Sequence, residues 1–333
     1  MPELRKDQIL KRWVIIATER SKRPKDFATA SEEKTNSFCP FDTGNEHTTP
    51  PEIMAFRPAN TNKDEPGWWI RVVPNKFPAL DPEETPEKFG HGMYDVIRGF
   101  GTHEVIVETP EHDTNMALMP LKQIQEIIWA YKERFTSLEK DEKISYVLIF
   151  KNHGKEAGAS LMHSHSQLIA TPIVPKRVME EIDGSRDYYK FKDRCVFCDT
   201  VNQEILEGNR VIEENSDFIA FEPFASRFPF ETWILPKKHQ FSFGKIESSG
   251  VENFAHILKN VLFRIYSALD NPPYNFMLHT GMERLEGKDY YHWHLEIVPR
   301  LTHVAGFEWG SGFYINPVPP EHAANYLKEV ELE

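Results

Sequence analysis

The chain has 333 residues, 40% of them hydrophobic and 27% charged, with a formal net charge of -12. That length suits a globular protein with room for two domains. The acidic balance argues against a long polyanionic partner such as nucleic acid, which needs a basic surface, and no run approaches the roughly 18 apolar residues of a membrane span. The charged start "MPELRKDQIL" reads as neither secretory signal nor anchor, so a cytoplasmic protein is expected.

In chain order, Cys39 stands in "FCPFD". A strand-like "WWIRVVPNKFPAL" (68–80) follows, then a strand "HEVIVETPEH" (103–112), an amphipathic helix (121–140) and a strand "ISYVLIF" (144–150). A glycine-bearing loop leads to "HSHSQ" (163–167). The second half repeats the order: "CVFC" (195–198), "DFIAFEPF" (217–224), "ETWILPKKH" (231–239), a helix over 250–269, "YNFMLHT" (274–280) and "HWHLEIVPR" (292–300). His112 precedes His163 by 51 residues and His239 precedes His292 by 53. Each half therefore carries one Cys motif, one His after a strand and one His-x-His strand.

This repetition offers each half ligands for one tetrahedral metal. In the second half they are Cys195, Cys198, His239 and His292, a Cys2His2 set suited to Zn. In the first they are Cys39, Asp42, His112 and His163, with a carboxylate where a second thiolate is expected. A redox pair is the other reading of Cys195 and Cys198, and a small buried hydrophobe the other reading of Cys39. Closed four-ligand sites would hold loops and leave chemistry to other residues.

On an extended chain, alternation puts His163, His165 and Gln167 on one face and Ser164 and Ser166 on the other. The second copy, His292-x-His294, has Glu296 where the first has Gln167, and a carboxylate there would repel a phosphate oxyanion. It reads as a structural partner, with His279 and Asn316 as weaker site candidates.

The motifs "RWVIIATERSKRP", "CPF", "VVPNKFPAL", "HEVIVETPEH", "KNHGKEAGASLMHSHSQ" and "GFEWGSGFYINPVPPE", in this order, make the chain resemble the galactose-1-phosphate uridylyltransferase family of the histidine triad superfamily, near its ADP-glucose phosphorylase branch. Two departures stand out. Asp42 replaces the family's second cysteine, and Ser164 replaces the proline many of these transferases carry between the histidines. The resemblance implies an α+β protein of two fused histidine-triad-like domains, residues 1–190 (catalytic) and 191–333, each an antiparallel sheet with packed helices. It assigns His165 as nucleophile, Gln167 as a donor to the reacting phosphate, and Asn152, Gly158 and Ser160 as phosphate contacts. Asn75, Lys76 and Phe77 would line the nucleoside pocket, Arg20 and Arg23 would reach phosphates across a homodimer interface, and "GFYINP" would form the sugar end of the pocket. Imidazole chemistry agrees: a neutral ring can carry a nucleotidyl group and split one displacement into two.

The expected function is ping-pong nucleotidyl transfer through a nucleotidyl-histidine, as a UDP-glucose:galactose-1-phosphate uridylyltransferase of galactose metabolism. The alternative within the class is ADP-glucose phosphorylase, with orthophosphate as acceptor. The partners would be a nucleotide sugar and a sugar 1-phosphate or orthophosphate, and the cofactor Zn. A zinc-stapled nucleic-acid-binding module is the alternative of another class; it leaves HSHSQ idle and conflicts with the charge.

Overall fold

The computed structural model describes residues 2–17, 38–285 and 287–332. Arg20 and Arg23 therefore lie outside the described residues. The elements run β1 (Glu3–Lys6), β2 (Trp13–Ile16), β3 (Met54–Phe56), β4 (Ile70–Pro74), β5 (Lys88–His91), β6 (Tyr94–Ile97), β7 (Thr102–Val107), α1 (Leu121–Glu139), β8 (Tyr146–His153) and β9 (His165–Thr171). After them come α2 (Lys176–Lys192), α3 (Val196–Glu207), β10 (Val211–Glu214), β11 (Phe218–Phe221), β12 (Thr232–Pro236), α4 (Ser248–Ala268), β13 (Tyr274–His279), β14 (His294–Pro299), α5 (Gly306–Ser311), β15 (Tyr314–Asn316) and α6 (Pro320–Lys328). The fold is α+β, as expected. Among the described residues no helix is long and apolar enough to cross a membrane.

Ten strands form one antiparallel sheet in the order β10-β11-β12-β14-β13-β8-β9-β7-β4-β3. The order reads the same from either end once the halves are matched, β8 with β13, β9 with β14, β7 with β12, β4 with β11 and β3 with β10. The halves meet where β8 pairs with β13, from Tyr274↔His153 to Leu278↔Ile149. The registers match as well: Gln167 faces Phe150 across β9–β8 as Glu296 faces Met277 across β14–β13.

Two long helices cover one face. α1 buries Ile124, Ile127, Ile128, Tyr131 and Phe135, and α4 buries Val251, Phe254, Leu258, Val261, Leu262 and Ile265. Both series follow the helical period of 3.6, so each helix has one apolar stripe to bury, and the stripes meet each other and the sheet in one core. Across the other face of the second half lie α2 and α3, which the apolar periodicity of the sequence did not reveal. α2 starts after Pro175, ends at a left-handed Asp193, and buries only a few residues along its length.

Gly184 fixes where α2 sits. A Cβ added there would lie 2.0 Å from the Ile9 carbonyl oxygen, so the N-terminal segment passes against the helix backbone itself. Helix propensity alone favours Ala over Gly by about 1 kcal/mol, but the contact is with backbone and overpacking costs about 1–3 kcal/mol. Gly184→Ala should therefore lower stability, read as a fall in the urea midpoint; a rise would show that the segment moves aside freely.

Candidate functional site

The HSHSQ segment enters the sheet at His165, with His163 just before the strand. The His165 ring is 7% exposed, and its Nδ1 lies 2.8 Å from the His163 carbonyl oxygen. A carbonyl only accepts, so Nδ1 carries the proton and Nε2 keeps its lone pair. Burial pushes the pKa of this ring down, partly opposed by the bond to the His163 carbonyl. Phe41 stands edge-on to it, ring centres 5.4 Å apart.

His163 is fully buried and donates from Nε2 to the Thr109 carbonyl at 2.7 Å, which turns its Nδ1 lone pair inward. That nitrogen lies 3.0 Å from Asp42 Oδ1 and 3.8 Å from Cys39 Sγ, while His112 Nδ1 lies 2.7 Å from the same Asp42 oxygen. Against a burial that raises it, contact with His112 and His163 holds the Asp42 carboxyl below its usual range. The loop that closes this group is folded by its own sequence: Asp42 N–H reaches back to the Cys39 carbonyl, and buried Glu46 receives Gly44 N–H and the Trp68 indole.

The second half builds its counterpart differently. Cys195 caps α3 and Cys198 lies in its first turn, so both sulfurs sit on one side of the helix start. His239 donates from Nε2 to the Lys288 carbonyl at 2.7 Å, leaving Nδ1 3.4 Å from Cys198 Sγ; His292 Nδ1 is 3.8 Å from that sulfur. The Cys195 thiol beside it holds the Cys198 thiol below its usual pKa. In both quartets the four donor atoms lie within 4.8 Å of one another. Inward lone pairs, with the opposite ring nitrogen of His163 and of His239 bound to a carbonyl, are the arrangement a metal-holding histidine needs.

The serines face a charged group under the strand. Glu108 and Lys151, both at most 1% exposed, form an ion pair of 2.5 Å. Glu108 also accepts from Ser164 Oγ at 2.6 Å, from Ser166 Oγ and from Tyr131 at 3.0 Å. Lys151 donates to Ser164 Oγ at 3.1 Å and to the backbone carbonyl of His165 at 3.0 Å. Although burial alone would raise it, the Lys151 ammonium keeps the Glu108 carboxyl below its usual pKa. Sequence reasoning missed this pair. Its signal was a Glu in register with the core-facing Ile106 and Glu104 of the same strand run.

On β9 itself, Gln167 Oε1 lies 2.8 Å from His103 Nε2, and Asn75 Nδ2 lies 3.1 Å from the same nitrogen. Asn75 thus joins Gln167, whereas Lys76 and Phe77 are exposed beyond it. Asn152 follows Phe150 on β8 and receives Asn275 Nδ2 at 2.8 Å, which leaves its own Nδ2 turned toward Gly158. Gly154 and Gly158 hold φ of 79° and 90°, left-handed values that favour glycine, and Ser160 is exposed just beyond. The loop can therefore present backbone to an anion.

The second histidine strand is closed. His294 lies between His279, stacked at 4.7 Å, and Trp233, at 5.1 Å, and burial pushes its pKa down to about 3. Glu181 of α2 completes a buried group with His279 and His294, and Glu296 pairs with Arg177 and Arg227. Asn316 is fully buried and spends its amide on Ser226 and the Phe228 carbonyl, so within this chain it anchors a loop.

Comparison with known proteins places this geometry. The family model described as galactose-1-phosphate uridyl transferase, N-terminal domain, matches residues 1–175, and a model of a domain of unknown function matches 122–330. The chain is 39% identical to an ADP-glucose phosphorylase of Arabidopsis thaliana, over 99% of this chain and 93% of that one. It is 31% identical to a galactose-1-phosphate uridylyltransferase of Thermotoga maritima over the whole of both. The crystal structure of an Arabidopsis thaliana ADP-glucose phosphorylase with bound ADP-glucose superposes with a TM-score of 0.84 at 37% identity, covering both chains completely. A uridylyltransferase structure superposes with 0.76 at 31%, over 98% of each.

Removing one partner of the buried pair strands the other charge. Lys151→Met should cost on the order of 3–5 kcal/mol, against about 1 kcal/mol for Ser164→Ala, which removes one of several donors to Glu108. Chemical denaturation of the two variants measures both, and equal losses would contradict the ordering.

Proposed function

Because the chain belongs to the galactose-1-phosphate uridylyltransferase family and is a nucleotidyltransferase, we propose that it transfers a nucleoside monophosphate from a nucleotide sugar to a phosphate-bearing acceptor through His165. The observation that carries this reading is the His165 ring itself, with Nδ1 held by a backbone carbonyl and Nε2 left as a nucleophile beside Gln167. Nε2 attacks the α-phosphorus of the donor, a P–N bond forms, and the bond to the bridging oxygen breaks so that the hexose leaves as its 1-phosphate. Nδ1–H, donating to the His163 carbonyl, stabilises the positive charge that the ring acquires. An oxygen of the second phosphate then attacks the same phosphorus and returns His165 neutral. The Gln167 amide donates to a nonbridging oxygen, Asn152 with the Gly154–Gly158 backbone holds the remaining oxygens, and Asn75 opens the 75–79 loop at the nucleoside end.

For the acceptor, the 39% identity to a phosphorylase favours ADP-glucose as donor and orthophosphate as acceptor. Full-length similarity to a uridylyltransferase favours UDP-glucose and galactose 1-phosphate as the second reading. The test is to form the adduct separately with each nucleotide sugar and to chase it with orthophosphate or galactose 1-phosphate. Adduct from ADP-glucose, mapped to His165 and discharged by orthophosphate as ADP, is expected. Efficient release of UDP-galactose would replace this reading with the second, and full turnover by His165→Ala would remove both.

The donor sets suit Zn at both quartets, Cys195, Cys198, His239 and His292 best, with Cys39, Asp42, His112 and His163 the harder set. Bound there, the ion would tie the CPFD loop or the start of α3 to the histidine strands and keep His163 in place under His165. Binding energy at such a site is folding energy, on the order of 10 kcal/mol. Cys198→Ser is therefore expected to lose about one metal per chain and much thermal stability. Elemental analysis that finds no Zn in the purified protein would overturn the assignment.

A further inference from the structure

His103 is a half-buried residue of β7 to which neither the motifs nor the reaction give a role. Its ring touches three groups at once. Ala79 N–H lies 3.2 Å from Nδ1, Gln167 Oε1 lies 2.8 Å from Nε2, and Asn75 Nδ2 lies 3.1 Å from Nε2. A backbone N–H only donates, so Nδ1 accepts and the neutral ring carries its proton on Nε2. That proton goes to the carbonyl oxygen of Gln167, the nearer of the two amides and the one that presents an acceptor. The Gln167 amide is thereby fixed in one of its two orientations, with its N–H2 turned away from His103. Asn75 is fixed in turn, since its Oδ1 accepts Phe77 N–H at 2.9 Å. Its N–H2, facing a nitrogen that already bears a proton, is left without an acceptor there.

We infer that His103 is the positioning residue that sets the Gln167 amide to donate, and that it couples this setting to the 75–79 loop. The inference rests on the nucleotidyl-transfer reading above. An amide free to flip would present its oxygen to the reacting phosphate half the time and repel it; tied by His103, it presents only donors to the charge that develops in the transition state. Because the tie runs through the Ala79 backbone as well, a ligand that seats the 75–79 loop also seats His103. Nucleoside recognition and phosphate activation thereby share one imidazole.

Three substitutions separate this role from bulk packing. His103→Gln carries an amide N–H to the Nε2 position and should keep the donation to Gln167. His103→Asn puts its oxygen near the Nδ1 position and should keep only the Ala79 bond. The expected result is a single-turnover rate of His165 nucleotidylation near the parent value for His103→Gln and about tenfold lower for His103→Asn. In a Gln167→Ala background, His103→Asn should cost nothing further, because its effect acts through Gln167. An equal loss in both backgrounds would overturn the inference while leaving His165 in its role. One measurement needs no turnover: long-range nitrogen–proton NMR of the free protein should find the His103 ring protonated on Nε2, and the Nδ1-protonated form would overturn the inference independently of any activity.

Discussion

The Glu108–Lys151 pair is the constraint around which the HSHSQ strand is built. A carboxylate and an ammonium in the same core are stable only if every remaining donor and acceptor is matched. The matching groups are the alternate residues of HSHSQ, so the strand has one side devoted to satisfying a buried charge and the other bearing His163, His165 and Gln167. Lys151 adds a contact to the His165 carbonyl, on the backbone that carries that ring. A proline at 164 would offer Glu108 no hydroxyl. The serine there is thus bound up with Glu108 and Lys151 as one set.

The two halves are built on the same scaffold. The same strand order and register on both sides of the seam place His165 and His294 in matching positions, each with Nδ1 on the carbonyl two residues earlier. What differs is the covering. α2 and α3 lie across the second histidine face and insert Glu181 and Phe197 against it, and Trp233 stands where the first half has Val105. Glu296, in the place of Gln167, is neutralised by two arginines. The second histidine strand is core, and its quartet of donors gathers at the start of α3.

Much of this was legible in the sequence because it was written in local order. The strands and the two long helices follow period-2 and period-3.6 patterns, and the repeated sequence of Cys motif, His and His-x-His named both donor quartets correctly as spatial groups. What stayed hidden depended on pairing between distant segments. Glu108 and Lys151 are 43 residues apart and become partners only through the β7–β9–β8 register; His103 and Gln167 are 64 apart and meet for the same reason. α2 was missed because it is short of apolar residues and is held by a glycine contact and buried charges. Asn316 is a related case, since its motif suggested a ligand and within this chain its amide serves a turn 88 to 90 residues away.

The seam between β8 and β13 gives the halves a mutual dependence that their duplication conceals. β8 is an eight-residue strand, and β13 covers its outer edge from Ile149 to His153. A chain cut between the halves would expose that edge as a row of unpaired amides and carbonyls, next to the strand that carries His165. Long bare edges of this kind invite pairing with other chains. During synthesis the first half must therefore wait, with its edge open, until β13 has been made, and the window for edge-to-edge aggregation closes only when the C-terminal half folds against it.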